Sequence, residues 1–251
     1  MKKADRNALL GVLISVLVGL GVALAGSQGG GTALGIPVFA LAVGMAFVIQ
    51  WLVFIPSYLL RNEHFYDLTG SITYISVTII AVLLSPKADG RTILLLVLVV
   101  IWAIRLGSFL FRRIRKAGKD ARFDELKTSF PRFLLTWTLQ GLWVSFTLAA
   151  ALAAITSTTR KGLDVFALLG FLVWGLGVAF EVVADAQKSR FRADPANKGK
   201  FIQSGLWAWS RHPNYFGEIL LWIGVAIITL PILQGWQWVT LISPVFVTLL
   251  I

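Results

Sequence analysis

The chain has 251 residues, 57% of them hydrophobic and 14% charged, with a net charge of +11 and a mean hydropathy of +0.79. That is too little charge to coat a soluble domain. The apolar residues come in long runs without period-2 alternation, which argues against a membrane β-barrel and for transmembrane helices. With no cysteine there are no disulfides, thiolate metal sites or cysteine nucleophile; two histidines, His64 and His212, cannot build a multi-histidine metal centre, so no metal is expected.

In chain order, Met1 to Arg6 and the apolar run behind them have the outline of a secretory leader. The run is long and passes into Gly-rich sequence, so it reads as a first span over 8–25. Residues 26–35 read as a flexible outer loop. Further spans are expected at 36–60, 68–84, 92–111, 133–155, 163–184, 214–230 and 236–251, giving an all-α, polytopic bundle of seven to eight spans. The whole of 1–251 reads as one membrane domain, with 1–34 as the N-terminal span and outer loop and 35–251 as the core. The last apolar run reaches Ile251, as in a chain that ends in the membrane or a piece of a longer one.

Basic residues support this segmentation. Eighteen of the 23 Lys and Arg residues fall in segments on the N-terminal side, four (Lys87, Arg91, Arg160, Lys161) fall in the alternate loops, and Arg105 lies inside a span. The positive-inside rule then puts the N-terminus in the cytoplasm, and a cell inner membrane is favoured over an endoplasmic-reticulum-type membrane. The same rule explains the +11 charge without nucleic-acid binding. The oligomeric state is open.

Polar chemistry concentrates at the basic end. Between the second and third spans, Glu63, His64, Tyr66 and Asp67 are candidate proton donors, and general acid chemistry needs one near a substrate oxygen; Asp67 also suits a helix cap. Arg105 either snorkels or forms a polar wall. The eight cations of 112–132 suit phosphate or anionic lipid, or simply a positive-inside loop. If the sixth helix runs past the membrane, Glu181, Asp185, Lys188 and Arg192 share one face at i, i+4, i+7 and i+11. Glu181 lies in an apolar run, where an ionisable group usually faces a polar cavity. Trp207 and Trp209 read as interfacial aromatics. Pro213 suits the first turn of a helix whose N–H groups, with Arg211 and His212, form an anion site. Asn214 and Glu218 stand one turn apart on that helix, with Tyr215 between them.

Two blocks carry a resemblance: Asp185-x-Gln-Lys-x-x-Phe-Arg192, and Gly205-Leu-Trp-x-x-Ser-Arg-His-Pro-Asn-Tyr-Phe-Gly-Glu218. With Phe65-Tyr-Asp-Leu-Thr-Gly70 and Trp102-Ala-x-Arg-Leu-Gly107, the chain from about residue 50 onward resembles the steroid 5-alpha-reductase-like (DUF1295) membrane proteins. The resemblance implies an NADPH-dependent oxidoreductase that delivers hydride to a C=C bond conjugated to a carbonyl, in a steroid-like or other enone lipid. Glu181, Asp185, Arg192, Lys200, Asn214 and Glu218 fall at positions resembling the family's cofactor contacts; Arg105, Arg211, His212 and Tyr215 join them as candidates, and Asp67, Tyr66 and Glu63 are the catalytic ones. Steroid reductases carry a Gln-Glu pair in the second helix and a Tyr in the next region, where this chain has Gln50-Trp51 and Trp102. Two other readings stand beside this one. One is an S-adenosylmethionine-dependent membrane methyltransferase, since such enzymes share an Arg-His-Pro-x-Tyr-x-Gly block. The other is a non-enzymatic lipid-binding protein.

Overall fold

The computed structural model describes residues 2–85, 87–118 and 120–251. Lys119, counted above among the loop cations, lies outside the described residues. Eight α-helices follow one another: α1 Lys3–Gly26, α2 Val38–Leu59, α3 Tyr66–Leu83, α4 Gly90–Ala117, α5 Phe130–Thr156, α6 Val165–Ala193, α7 Pro213–Thr229 and α8 Ile242–Leu250. The first six are long and apolar enough to cross a membrane, which makes the protein multi-pass. The seventh expected span matches α7 in length, whereas the eighth is shorter than the sequence suggests. Helix α7 has 17 residues, and the last apolar run splits into a 3-10 helix, Gly235–Leu241, and the nine-residue α8. Gly235 adopts φ +50, and the Gln234 and Gln237 side chains form a capping box that starts a new element there. At 1.5 Å per residue the nine residues of α8 rise about 14 Å.

The segment expected to be a loose outer loop is instead hydrogen-bonded. Strands β1 Thr32–Ala33 and β2 Ile36–Pro37 pair antiparallel. Leu34 and Gly35 both have positive φ, as a two-residue hairpin turn demands. Gly31 N–H donates to Thr156 O at 2.8 Å, tying the hairpin to the end of α5.

Helix α5 is the axle of the bundle and packs against α1, α2, α3, α7 and α8. Its Leu148–Ala153 stretch is wholly buried, and small side chains there let neighbouring helices approach closely. At the end away from the N-terminus, Asp89 and Asp164 cap α4 and α6. Arg91, 2% exposed, joins that end by donating to Lys161 O, Gly162 O and Ile228 O and pairing with Asp164 at 2.8 Å. Arg160 donates to Ser85 Oγ and Thr92 Oγ1. Two of the four cations assigned to that end are thus absorbed by internal bonds, which leaves the opposite end the basic one.

Candidate active site

A cavity of about 570 Å³ opens among α3, α4, α5, α6 and α7, within the range of small-molecule sites. Its basic end carries Asp67, Arg113, Arg122, Lys188 and Arg192, and its depth carries Tyr74, Trp102, Gln140, Glu181 and Glu218. From Arg192 to Glu181 is eleven residues of α6, about 16 Å along the axis. The chamber therefore runs from cations at one end to aromatic rings and carboxyl groups inside the bundle.

The pairing of α6 with α7 sets the acidic wall. Gly170 and Gly177 of α6 meet Gly224 and Gly217 of α7, each pair seven residues apart. A Cβ on Gly177 would lie 2.6 Å from Gly217 O, and one on Gly217 would lie 2.6 Å from Gly177 O and 2.7 Å from Glu181 N. No residue larger than glycine fits between these backbones. As expected from its spacing, α6 continues to Ala193, and Glu181, Asp185, Lys188 and Arg192 all line the cavity. Arg105 reaches across from α4 to pair with Glu181 Oε1 and, at 2.6 Å, with Asp185 Oδ2. Arg105 is therefore a brace rather than a snorkelling cation. Glu181 is 4% exposed; its Oε2 is buried without a hydrogen-bond partner, as is Asn214 Oδ1. Pro213 opens α7 with His212 as the N-cap, which puts Asn214 inside the first turn. Glu218 makes no hydrogen bond or ion pair among the described residues.

Of the three catalytic candidates, two reach this cavity. Tyr66 and Asp67 line it. Tyr66 Oη donates to Thr136 O at 3.1 Å, and Asp67 lies 3.5 Å from Arg113. Asp67 sits inside the first turn of α3 behind Phe65, the N-cap, and so does not cap the helix. Glu63 does not line the cavity. It is 4% exposed, bonds Lys127 Nζ at 2.8 Å and accepts from Asp120 N–H. Burial alone would raise its carboxyl, but the bonds from Lys127 and Asp120 and the Lys127 charge bring it below the ordinary carboxylate value. The Arg61 guanidinium donates to Lys127 O, and a His64 ring nitrogen lies 2.5 Å from Gly118 O. Together these join the 60–65 turn to the 118–129 segment, whose Arg122 and Phe123 are cavity wall. Arg122 pairs with Asp120, and that bond holds the Asp120 carboxyl below its usual range.

Arg211 and His212 line a second cavity of about 610 Å³, which shares Lys188 and Arg192 with the first. The His212 ring stacks on Tyr215 at 4.7 Å, and Tyr215 lines the first cavity. Lys200 is exposed and lines neither. Trp207, expected at an interface, is buried. Its Nε1 donates to Ala184 O at 3.0 Å and Lys188 Nζ sits 4.6 Å over its ring, which places that cation at the junction of the two cavities. Trp209 remains 86% exposed.

Several wall residues escaped the sequence reading: Tyr74, Gln140, and Lys188 as a ligand contact. A signal for Tyr74 was present, because Tyr66, Gly70 and Tyr74 follow one another at i, i+4 and i+8 on a single face of α3. Gln140 carries no comparable local signal.

Comparison with known proteins adds the lineage. No solved structure matches the chain. A protein from Ustilaginoidea virens described as "Probable O-methyltransferase ustE" is 34% identical over 58 residues, 23% of this chain and 20% of that protein. The chain thus matches about a fifth of that relative's length. The profile of the family described as "Protein of unknown function (DUF1295)" matches residues 53–251, most of the chain and all of the cavity wall. The chain therefore belongs to the DUF1295 family of steroid 5-alpha-reductase-like membrane proteins.

Proposed function

We propose that the protein is a membrane-embedded reductase that uses NADPH to reduce the conjugated C=C bond of an enone lipid or steroid-like substrate. The observation that carries this reading is the polarity of the cavity. Phosphate-ready cations stand at its basic end, and two buried acceptors without partners, Glu181 Oε2 and Asn214 Oδ1, stand deeper in. A buried acceptor without a partner is costly unless a ligand donor satisfies it. A dinucleotide fits that pattern. Its phosphates would meet Lys188 and Arg192, with the adjoining cavity and Arg211 available to the far nucleoside, and its carboxamide N–H would meet the acceptors beside Glu218. When bound, such a cofactor supplies hydride. The residues of the chain bind and orient it: Arg105 holds Glu181 and Asp185 in place, and the apolar rings keep water from the deep end. The basic end is the cytoplasmic one in this reading, as the distribution of Lys and Arg supports, and the protein sits in a cell inner membrane.

A second reading is an S-adenosylmethionine-dependent methyltransferase, which the short match to a probable O-methyltransferase favours. The deciding experiment follows thermal unfolding in detergent during titration with NADPH, NADH and S-adenosylmethionine, with Asp185→Ala and Asn214→Ala variants alongside. Saturation at a hundred times Kd stabilises a protein by about 2.7 kcal/mol. Stabilisation by NADPH that weakens in both variants is the expected result. Stabilisation by S-adenosylmethionine instead would transfer the assignment to methyl transfer.

A further inference from the structure

The second cavity, of about 610 Å³, stands at a particular depth. Helix α6 has 29 residues, which rise about 43 Å, whereas the hydrocarbon core is about 30 Å thick. Asp164 caps α6 at the end away from the basic face. Roughly the last nine residues of α6, from Asp185 on, therefore stand clear of the hydrocarbon at the level of the lipid headgroups. The 194–212 segment folds back along this protruding end. Asn197 Nδ2 donates to Phe191 O and Leu206 N–H donates to Gln187 Oε1, each at 3.0 Å. With the Trp207 bond to Ala184 O, these contacts follow one another along α6 and fix the two walls between which the cavity lies.

The lining divides into two chemistries. Lys188, Arg192 and Arg211 supply positive charge, with His212 beside them, and among the described residues no carboxylate lines the cavity. Asp185, one turn from Lys188, is already paired with Arg105. The Lys188 ammonium rests on the Trp207 ring, a contact that uses none of its N–H groups on an acceptor. Phe191, Phe201 and Ile202 make the apolar part, and Phe201 is 89% exposed. A small soluble anion would satisfy the cations and leave these side chains facing water. A phosphate carrying an acyl chain matches both halves, and aromatic rings at headgroup level are suited to the bilayer interface. We propose that the second cavity binds an anionic glycerophospholipid from the leaflet at the basic end, its phosphate held by Lys188, Arg192 and Arg211 and the start of an acyl chain laid over Phe201 and Ile202. The lipid site goes beyond the reductase reading and does not depend on it. One consequence does: Lys188 and Arg192 also line the first cavity, so lipid and dinucleotide draw on the same two cations and compete.

The test follows thermal unfolding of delipidated protein in a neutral detergent as phosphatidylglycerol, phosphatidylcholine with the same chains, or glycerol phosphate is added. The wild type should bind phosphatidylglycerol tenfold or more tighter than phosphatidylcholine, and glycerol phosphate should stabilise it far less. A ring that is 89% exposed holds little of the fold together, so Phe201→Ser should unfold at the wild-type temperature when empty, while its phosphatidylglycerol affinity falls about tenfold. Arg211→Gln should lose the preference for the anionic lipid. Equal affinity of the wild type for the two lipids, or an unchanged phosphatidylglycerol affinity in either variant, overturns the proposal. Glycerol phosphate binding as well as the lipid would make the cavity a site for free phosphates and overturns it too. Where NADPH stabilises the protein, a severalfold higher concentration should be needed once phosphatidylglycerol is present, and Phe201→Ser should remove that increase. Additive stabilisation by the two ligands would place the lipid away from Lys188 and Arg192 and overturn the assignment. Selective phosphatidylglycerol binding through Phe201 and Arg211, in a protein that never responds to NADPH, would keep the lipid site and refute the reductase reading.

Discussion

Replacing Gly217 by alanine would place a Cβ 2.6 Å from Gly177 O and 2.7 Å from Glu181 N. Ordinary contact begins at 3.4 Å, so α6 and α7 would have to part by about 0.8 Å. Both close atoms belong to helical backbone and cannot rotate away as a side-chain tip would. Overpacking of this kind costs about 1–3 kcal/mol, or about 4–8 °C in unfolding temperature for a 2 kcal/mol loss in a chain of this size. The same displacement moves Asn214 and Glu218 away from Glu181, and misplacement by about 1 Å can cost about 100-fold in rate. The control is Gly175→Ala on the facing helix α6, where a Cβ meets nothing within 4 Å. There alanine should be neutral or stabilise by up to about 1 kcal/mol through helix propensity. The assay is thermal unfolding of both variants in detergent, empty and with NADPH. Equal unfolding temperatures for Gly217→Ala and wild type, or equal loss in both variants, would refute the argument that backbone contact sets the acidic wall.

Three further outcomes follow from named contacts. Arg105→Ala strips Glu181 and Asp185 of their shared partner; removing one member of a buried ion cluster costs about 3–5 kcal/mol, and adding Glu181→Gln should recover part of the lost unfolding temperature. Asn214→Ala removes an acceptor that is idle in the empty protein, so the unfolding temperature should change little while NADPH affinity falls about 5-fold, the worth of one hydrogen bond of about 1 kcal/mol. Glu63 is held below the ordinary carboxylate value, so its brace to Lys127 stabilises fully above about pH 4.3, the unfolded value, and fades as pH falls through the lower folded one. Glu63→Gln should therefore unfold at a lower temperature than wild type at pH 7, and the two curves should converge in acid; a constant gap across pH would show that the charge of Glu63 does not contribute.

Much of this architecture is decided locally. Apolar run lengths and the alternation of basic segments dictate helices that cross a bilayer in turn, because lipid satisfies no backbone hydrogen bond. Spacing along a single helix is equally local: 3.6 residues per turn put Glu181, Asp185, Lys188 and Arg192 on one face whatever they pack against. Pro213 at the start of α7 has its cause in its own ring. The final apolar run shows where such reasoning stops, since composition alone did not reveal that it divides after Leu241 into a 3-10 helix and α8.

The partners of the site residues belong to the tertiary structure. Arg105 and Glu181 are 76 residues apart, and no helical period relates α4 to α6. Glu63 reads like Asp67 in sequence, yet Lys127, 64 residues away, draws it off the cavity and into a loop brace. The glycines of α6 and α7 look like ordinary helix-weakening residues until the two backbones are seen to touch. Trp102 passes for a core aromatic, because an unpartnered N–H is a property of everything around it. The sequence by itself determined the helices and the faces they present, since those follow from covalent geometry and the solvent. Which faces meet, and so which polar atoms remain free for a ligand, was decided only when distant segments packed.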